Sequence, residues 1–138
     1  MRQTKKAIAA LLAVLTVGGA TLSPALAASS VKDTISNVAV TARVSTDASS
    51  ATAVTTYSRS ANEIYAQATV YYWFGTKYYK VIRGNTAYAG GVSATAWKQH
   101  GGGEVAGGKG EHRLWQGATH WSTTTTIGKV YENSIIMP

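Results

Sequence analysis

The chain has 138 residues, with 13 Lys and Arg against 6 Asp and Glu, 14 Gly, 2 Pro and no Cys. That length suits one domain, and the lack of Cys excludes a disulfide framework, a thiol nucleophile and Cys-ligated zinc or iron–sulfur chemistry. Six acidic side chains leave little room for a carboxylate cage around calcium or magnesium.

Residues 1–27 predict a secretory signal peptide. Arg2, Lys5 and Lys6 form a positive start, residues 7–20 are mostly small and apolar, and Ala25-Leu26-Ala27 puts small side chains at −3 and −1 of a cleavage after Ala27. The apolar run falls short of the ~20 residues that span a bilayer. Cleavage leaves one secreted, extracellular β domain over residues 28–138. It has 111 residues, net charge +4 rather than +7, and every Trp, Tyr and Phe of the chain.

From there the apolar pattern has period 2, the signature of strands. Val38, Val40, Ala42 and Val44 alternate with Ala39, Thr41 and Arg43 in a strand over 37–46, and a Thr-rich strand follows over 51–57. From 63 to 74, Ile64, Ala66, Ala68, Val70, Tyr72 and Phe74 lie on one face, with Tyr65, Gln67, Thr69, Tyr71 and Trp73 on the other. Gly75-Thr76 suits a type II′ hairpin, which sets Trp73 opposite Tyr78, Tyr72 opposite Tyr79, Tyr71 opposite Lys80 and Val70 opposite Val81. Gly84-Asn85 predicts a second such turn, returning through 86–88, and Gly90-Gly91 a bulge before a strand over 92–98. The run from His100 to Gly110 reads as an irregular loop. Gly117-Ala118 predicts a last hairpin joining 111–116 to 119–127, and 129–138 a short strand and tail. The expected fold is all-β: a small antiparallel sandwich, or partly closed barrel, of seven or eight strands.

The chemistry-bearing motifs are weak. Gly103 to Lys109 has phosphate-loop spacing, but Gly110 stands where Ser or Thr would hold magnesium, and no helix follows. His100-Gly101-Gly102-Gly103 resembles an esterase oxyanion loop without its nucleophile elbow. In the predicted register His120 faces Trp115, while His112 lies on the opposite face near Thr123. The pair cannot share a metal, and both read as surface or half-buried. No acid–base carboxylate pair or Ser–His–acid set stands out, so no catalytic residue, metal or cofactor is expected.

The aromatics are the informative feature. With Tyr72, Phe74, Tyr79 and Val81 inward, Tyr65, Tyr71, Trp73 and Tyr78 line a second face flanked by Lys77, Lys80 and Arg83. Arg113, Trp115 and His120 make a secondary patch on the last hairpin. A soluble sheet needs one face for its core, and a second aromatic face offers flat rings to sugars or amphipathic tips to a membrane interface. In composition the secreted part resembles small cysteine-free bacterial β-sandwich proteins, cationic bacteriocins among them. The expected function is non-enzymatic binding of a cell-envelope or extracellular glycan through Tyr65, Tyr71, Trp73, Tyr78, Lys77 and Lys80. The alternatives are an antimicrobial protein acting at anionic bacterial membrane surfaces, and a structural subunit whose aromatic face is an oligomer interface. Dispersed basic residues and the absence of a recognised motif argue against nucleic acid.

Overall fold

Alternating burial organises the chain. In the strand at Val38–Thr46, Val40, Ala42 and Val44 are buried while Ala39 and Arg43 are exposed, and at Gly91–Trp97 the buried positions are Val92, Ala94 and Ala96. The structure, a computed structural model, describes residues 27–138; apart from Ala27, the predicted signal segment lies outside them. Nine strands are described: β1 (Ala27–Ile35), β2 (Val38–Thr46), β3 (Ser50–Tyr57), β4 (Glu63–Phe74), β5 (Lys77–Ala87), β6 (Gly91–Trp97), β7 (Glu104–Gln116), β8 (Thr119–Gly128) and β9 (Ile135–Met137). They form two sheets, ordered β1-β2-β3-β6 and β8-β7-β4-β5-β9. Every pairing is antiparallel except that of β9 with β5.

The sheets pack face to face as a β-sandwich. Val40, Ala51, Ala53 and Tyr57 of the first meet Ile64, Ala66, Ala68, Val70, Tyr72, Val81 and Leu114 of the second in one core. The β4–β5 hairpin has the register that Gly75-Thr76 predicts, with Tyr72 opposite Tyr79 and Trp73 opposite Tyr78. Gly75 sits at φ +68°, and Gly117 at φ +61° starts the last hairpin in the same way. Such positive φ is where glycine is needed.

Four expectations are corrected. β1 was not foreseen; it is joined to β2 through Ser36-Asn37, both at positive φ, the pattern of a type I′ turn. Gly84-Asn85 is no turn, because β5 runs on to Ala87 with Gly84 opposite Gln67. The Tyr65 ring lies over Gly84, so close that an added Cβ would stand 2.6 Å from its hydroxyl oxygen. The glycine marks a close approach, not a bend. Gly90-Gly91 forms no bulge: Gly91 pairs regularly with Thr56, and Gly90 sits before the strand with its carbonyl accepting from Tyr57 N at 2.8 Å. The irregularity falls instead in β7, where the register against β4 shifts between Tyr71 and Tyr72.

The glycine-rich run is the largest correction. Its second half is not a loop but the start of β7, which pairs with β4 on one side and β8 on the other. Only residues 100–103 turn, closed by Gly103 N to His100 O at 2.9 Å. There His100 stacks on Phe74 with centroids 4.2 Å apart, and its Nδ1 lies 2.8 Å from the Tyr72 hydroxyl. This corner caps one end of the core.

Candidate functional site

The outer face of the five-stranded sheet carries the aromatic residues singled out in the sequence. Trp115 pairs with His120, Tyr65 with Arg113, Tyr71 with Lys80 and Trp73 with Tyr78. Directly opposed residues of antiparallel strands share a face, so these eight side chains stand on one surface. Lys77 does not join them. It pairs with Phe74 and belongs to the opposite side of the hairpin, as does Arg83, which pairs with Ala68 and donates to the carbonyls of Ile82 and Pro138.

The surface is interrupted. After β8 the chain turns back over the sheet, with Lys129 N bonded to Ala106 O at 2.9 Å. It crosses the outer face as residues 129–134 and rejoins the edge as β9, Ile135 beside Tyr79 and Met137 beside Val81. This strap covers Tyr71, which is fully buried rather than open. The Tyr71 hydroxyl donates to Glu132 Oε1 at 3.2 Å. Lys109 Nζ donates to Glu132 Oε2 at 2.9 Å, and Lys80 Nζ to the Glu132 carbonyl at 2.9 Å.

Charge and burial shape this crossing. Burial, the largest influence, pushes the Tyr71 hydroxyl up to about 12. The Lys109 bond, chief among several, holds the Glu132 carboxyl below its ordinary range. Burial works against the charged form of Lys109, yet the Glu132 bond and neighbouring charges leave its pKa raised. The cations are the sheltered members: the side chains of Lys80 and Lys109 are 12% and 19% exposed, that of Glu132 56%.

Two aromatic platforms remain, one on each side of the strap. On the first, the Arg113 guanidinium lies 4.9 Å over the Tyr65 ring, and Trp115 meets His120 edge-on at 5.3 Å. The Tyr65 hydroxyl donates to Gln67 Oε1 at 2.8 Å. The structure therefore joins Tyr65 to Arg113, Trp115 and His120 rather than to Tyr71. On the second, Trp73 packs on Tyr78 at 4.6 Å, and Tyr78 on Tyr131 of the strap at 4.0 Å. Tyr65 and Trp73 are eight residue steps apart along β4, so the platforms lie about 26 Å apart. An open cleft of about 500 Å³, lined in part by Lys98, Glu104 and Ile127, adjoins the second platform through Glu104.

Sequence reasoning missed Tyr131, Glu132 and Lys109. Lys109 lay in the supposed loop, and the strap residues reveal their role only through contacts across the sheet. His112, expected at or near the surface, is fully buried between the sheets because it lies on the inward face of a central strand. Among the described residues no group of three or more His, Asp or Glu converges as metal ligands do. Comparison with known protein families, with curated proteins and with solved structures finds no match.

Proposed function

We propose that this is a secreted, non-enzymatic β-sandwich that binds a cell-envelope or extracellular glycan on the outer face of its five-stranded sheet. One observation carries the reading: that sheet already supplies a core from its inner face, yet its outer face presents Tyr65, Trp115, Trp73 and Tyr78 in two platforms. Trp73 keeps 37% of its surface exposed. Sugar rings stack on such faces through their C–H surfaces, while polar tips such as those of Arg113 and His120 supply hydrogen bonds to hydroxyls. The basic start and cleavage pattern of residues 1–27 support the secreted location.

Glycan arrays and pull-down with cell-wall polysaccharide test the proposal. The double variants Trp73→Ala with Tyr78→Ala, and Tyr65→Ala with Trp115→Ala, are expected each to weaken binding at least tenfold, about 1.4 kcal/mol. Circular dichroism should show both variants folded. Binding unchanged in both would end the reading.

A further inference from the structure

The strap makes a particular kind of contact where it crosses the sheet. A single carboxylate, Glu132, is set among Lys109 at 2.9 Å, the Tyr71 hydroxyl at 3.2 Å and Lys80 at 3.7 Å. Two ammonium groups and a phenol converge from three neighbouring strands, β5, β4 and β7. The donors are rooted in the sheet and mostly buried, whereas the carboxylate rides on an exposed connection. Sheltered cations without an anion cost free energy, so these donors require an acidic partner. Glu111 is the other carboxylate near Lys109, at 3.6 Å.

The strap is anchored at Ser134, which is buried, at Met137, which packs on the core, and at the Pro138 carbonyl, which accepts from Arg83 and Gln99; elsewhere its hold is slight. Its strand β9 has three residues in a parallel pairing, Ile135 and Ile136 keep much of their surface in solvent, and Glu132 itself is more than half exposed. Segments with few buried contacts and exposed backbone pairing open locally at low free energy. Lifting residues 129–138 would uncover Tyr71 and join Tyr65, Tyr71, Trp73 and Tyr78 into one face, with Lys80 released from Glu132 and Lys109 left to Glu111 alone at its centre.

We infer that Glu132 fills an anion site belonging to the sheet, and that the site, freed when the strap lifts, takes the carboxylates of an acidic polysaccharide. The inference rests on the glycan reading above. It makes the C-terminal segment an intramolecular competitor: the ligand displaces a carboxylate of the protein with one of its own. Apparent affinity is then lowered by the fraction of molecules whose strap is closed.

Binding of a polyuronate, a phosphate-bearing polymer and a neutral glucan is compared by titration, with hydrogen exchange followed over residues 130–137. The polyuronate is expected to bind at least tenfold more tightly than the neutral glucan, and to lose affinity with added salt. Glu132→Gln, and independently Tyr131→Ala, should tighten polyuronate binding about fivefold or more by opening the strap. Lys109→Gln should weaken it, with no recovery in the double variant with Glu132→Gln. Saturating polyuronate should speed exchange over residues 130–137. Equal binding of neutral and acidic polymers would overturn the anion site while leaving the glycan reading intact. So would unaltered affinity in both strap variants, or unaltered exchange over the strap at saturation. Binding of the phosphate polymer alone would overturn the carboxylate assignment. Binding of no glycan by wild type would remove the parent reading and this inference with it.

Discussion

Gly107→Ala is expected to destabilise the fold by about 3 kcal/mol, at the upper end of overpacking costs, whereas Gly101→Ala in the same glycine-rich run should change stability by less than about 0.5 kcal/mol. An added Cβ at Gly107 would collide with the backbone carbonyls of Ile127 and Lys129 and with the Lys129 amide. No rotamer change relieves a clash with backbone, so β8 or the root of the strap must move. At Gly101 no atom lies within 4 Å of the added Cβ. Gly110 behaves like Gly107 for another reason: its Cβ would stand 2.5 Å from His112 Nε2 and 2.7 Å from Thr125 Oγ1. Urea unfolding of the two alanine variants is the measurement. Equal stability would mean that residues 104–110 are the loop their composition suggests, not the buried start of β7.

That run shows where local reading stops. Clustered glycines signal a loop when only neighbours along the chain are considered, yet Gly107, Gly108 and Gly110 are buried in β7. They are small because β8, the strap, β2 and β3 press close to them, and none of that is written in the local pattern. The β4–β5 hairpin is the opposite case. Its two-residue turn pins the register, so the pairing of Tyr71, Tyr72 and Trp73 could be written down directly from the sequence. Which face Tyr71 occupies was therefore legible, but its burial was not, because the covering residues lie about 60 positions further on. Lys77 was misplaced for a simpler reason: it adjoins the aromatic run in sequence, while its partner Phe74 sets its face. β1 escaped notice because Ser, Lys, Asp and Thr dilute its alternation, leaving the Ser36-Asn37 turn as its clearest mark.

Acidification should destabilise the protein across a window set by His112. Fully buried, its ring spans the two sheets, with Nδ1 at 2.8 Å from Thr55 Oγ1 and Nε2 at 2.9 Å from Thr125 Oγ1. Thr55 Oγ1 donates its single proton to the Tyr65 carbonyl at 2.9 Å, so it must accept from His112 Nδ1–H. Nε2 is then the acceptor for the Thr125 hydroxyl, and every donor in the chain has a partner only while the imidazole is neutral. Protonation would place a second N–H against Thr125 and a charge inside the core. Burial accordingly brings the His112 pKa down to about 4 from 6.5. The unfolded chain binds the extra proton first, so this contribution is complete above about pH 6.5 and declines as pH falls toward 4, by about 3 kcal/mol in all. Asp47, whose carboxylate caps the turn at Ser49 and Ser50, and Glu132 have depressed pKa values. Their contributions begin to be lost as pH falls through the ordinary carboxylate range, below about pH 5, so the part of the window that belongs to His112 alone lies between about pH 5 and 6.5. His112→Gln is expected to remove the slope between about pH 5 and 6.5 while lowering stability at pH 7 by about 1–3 kcal/mol, since an amide cannot reach both threonines in the same geometry. A slope surviving over that range would release His112 from the role.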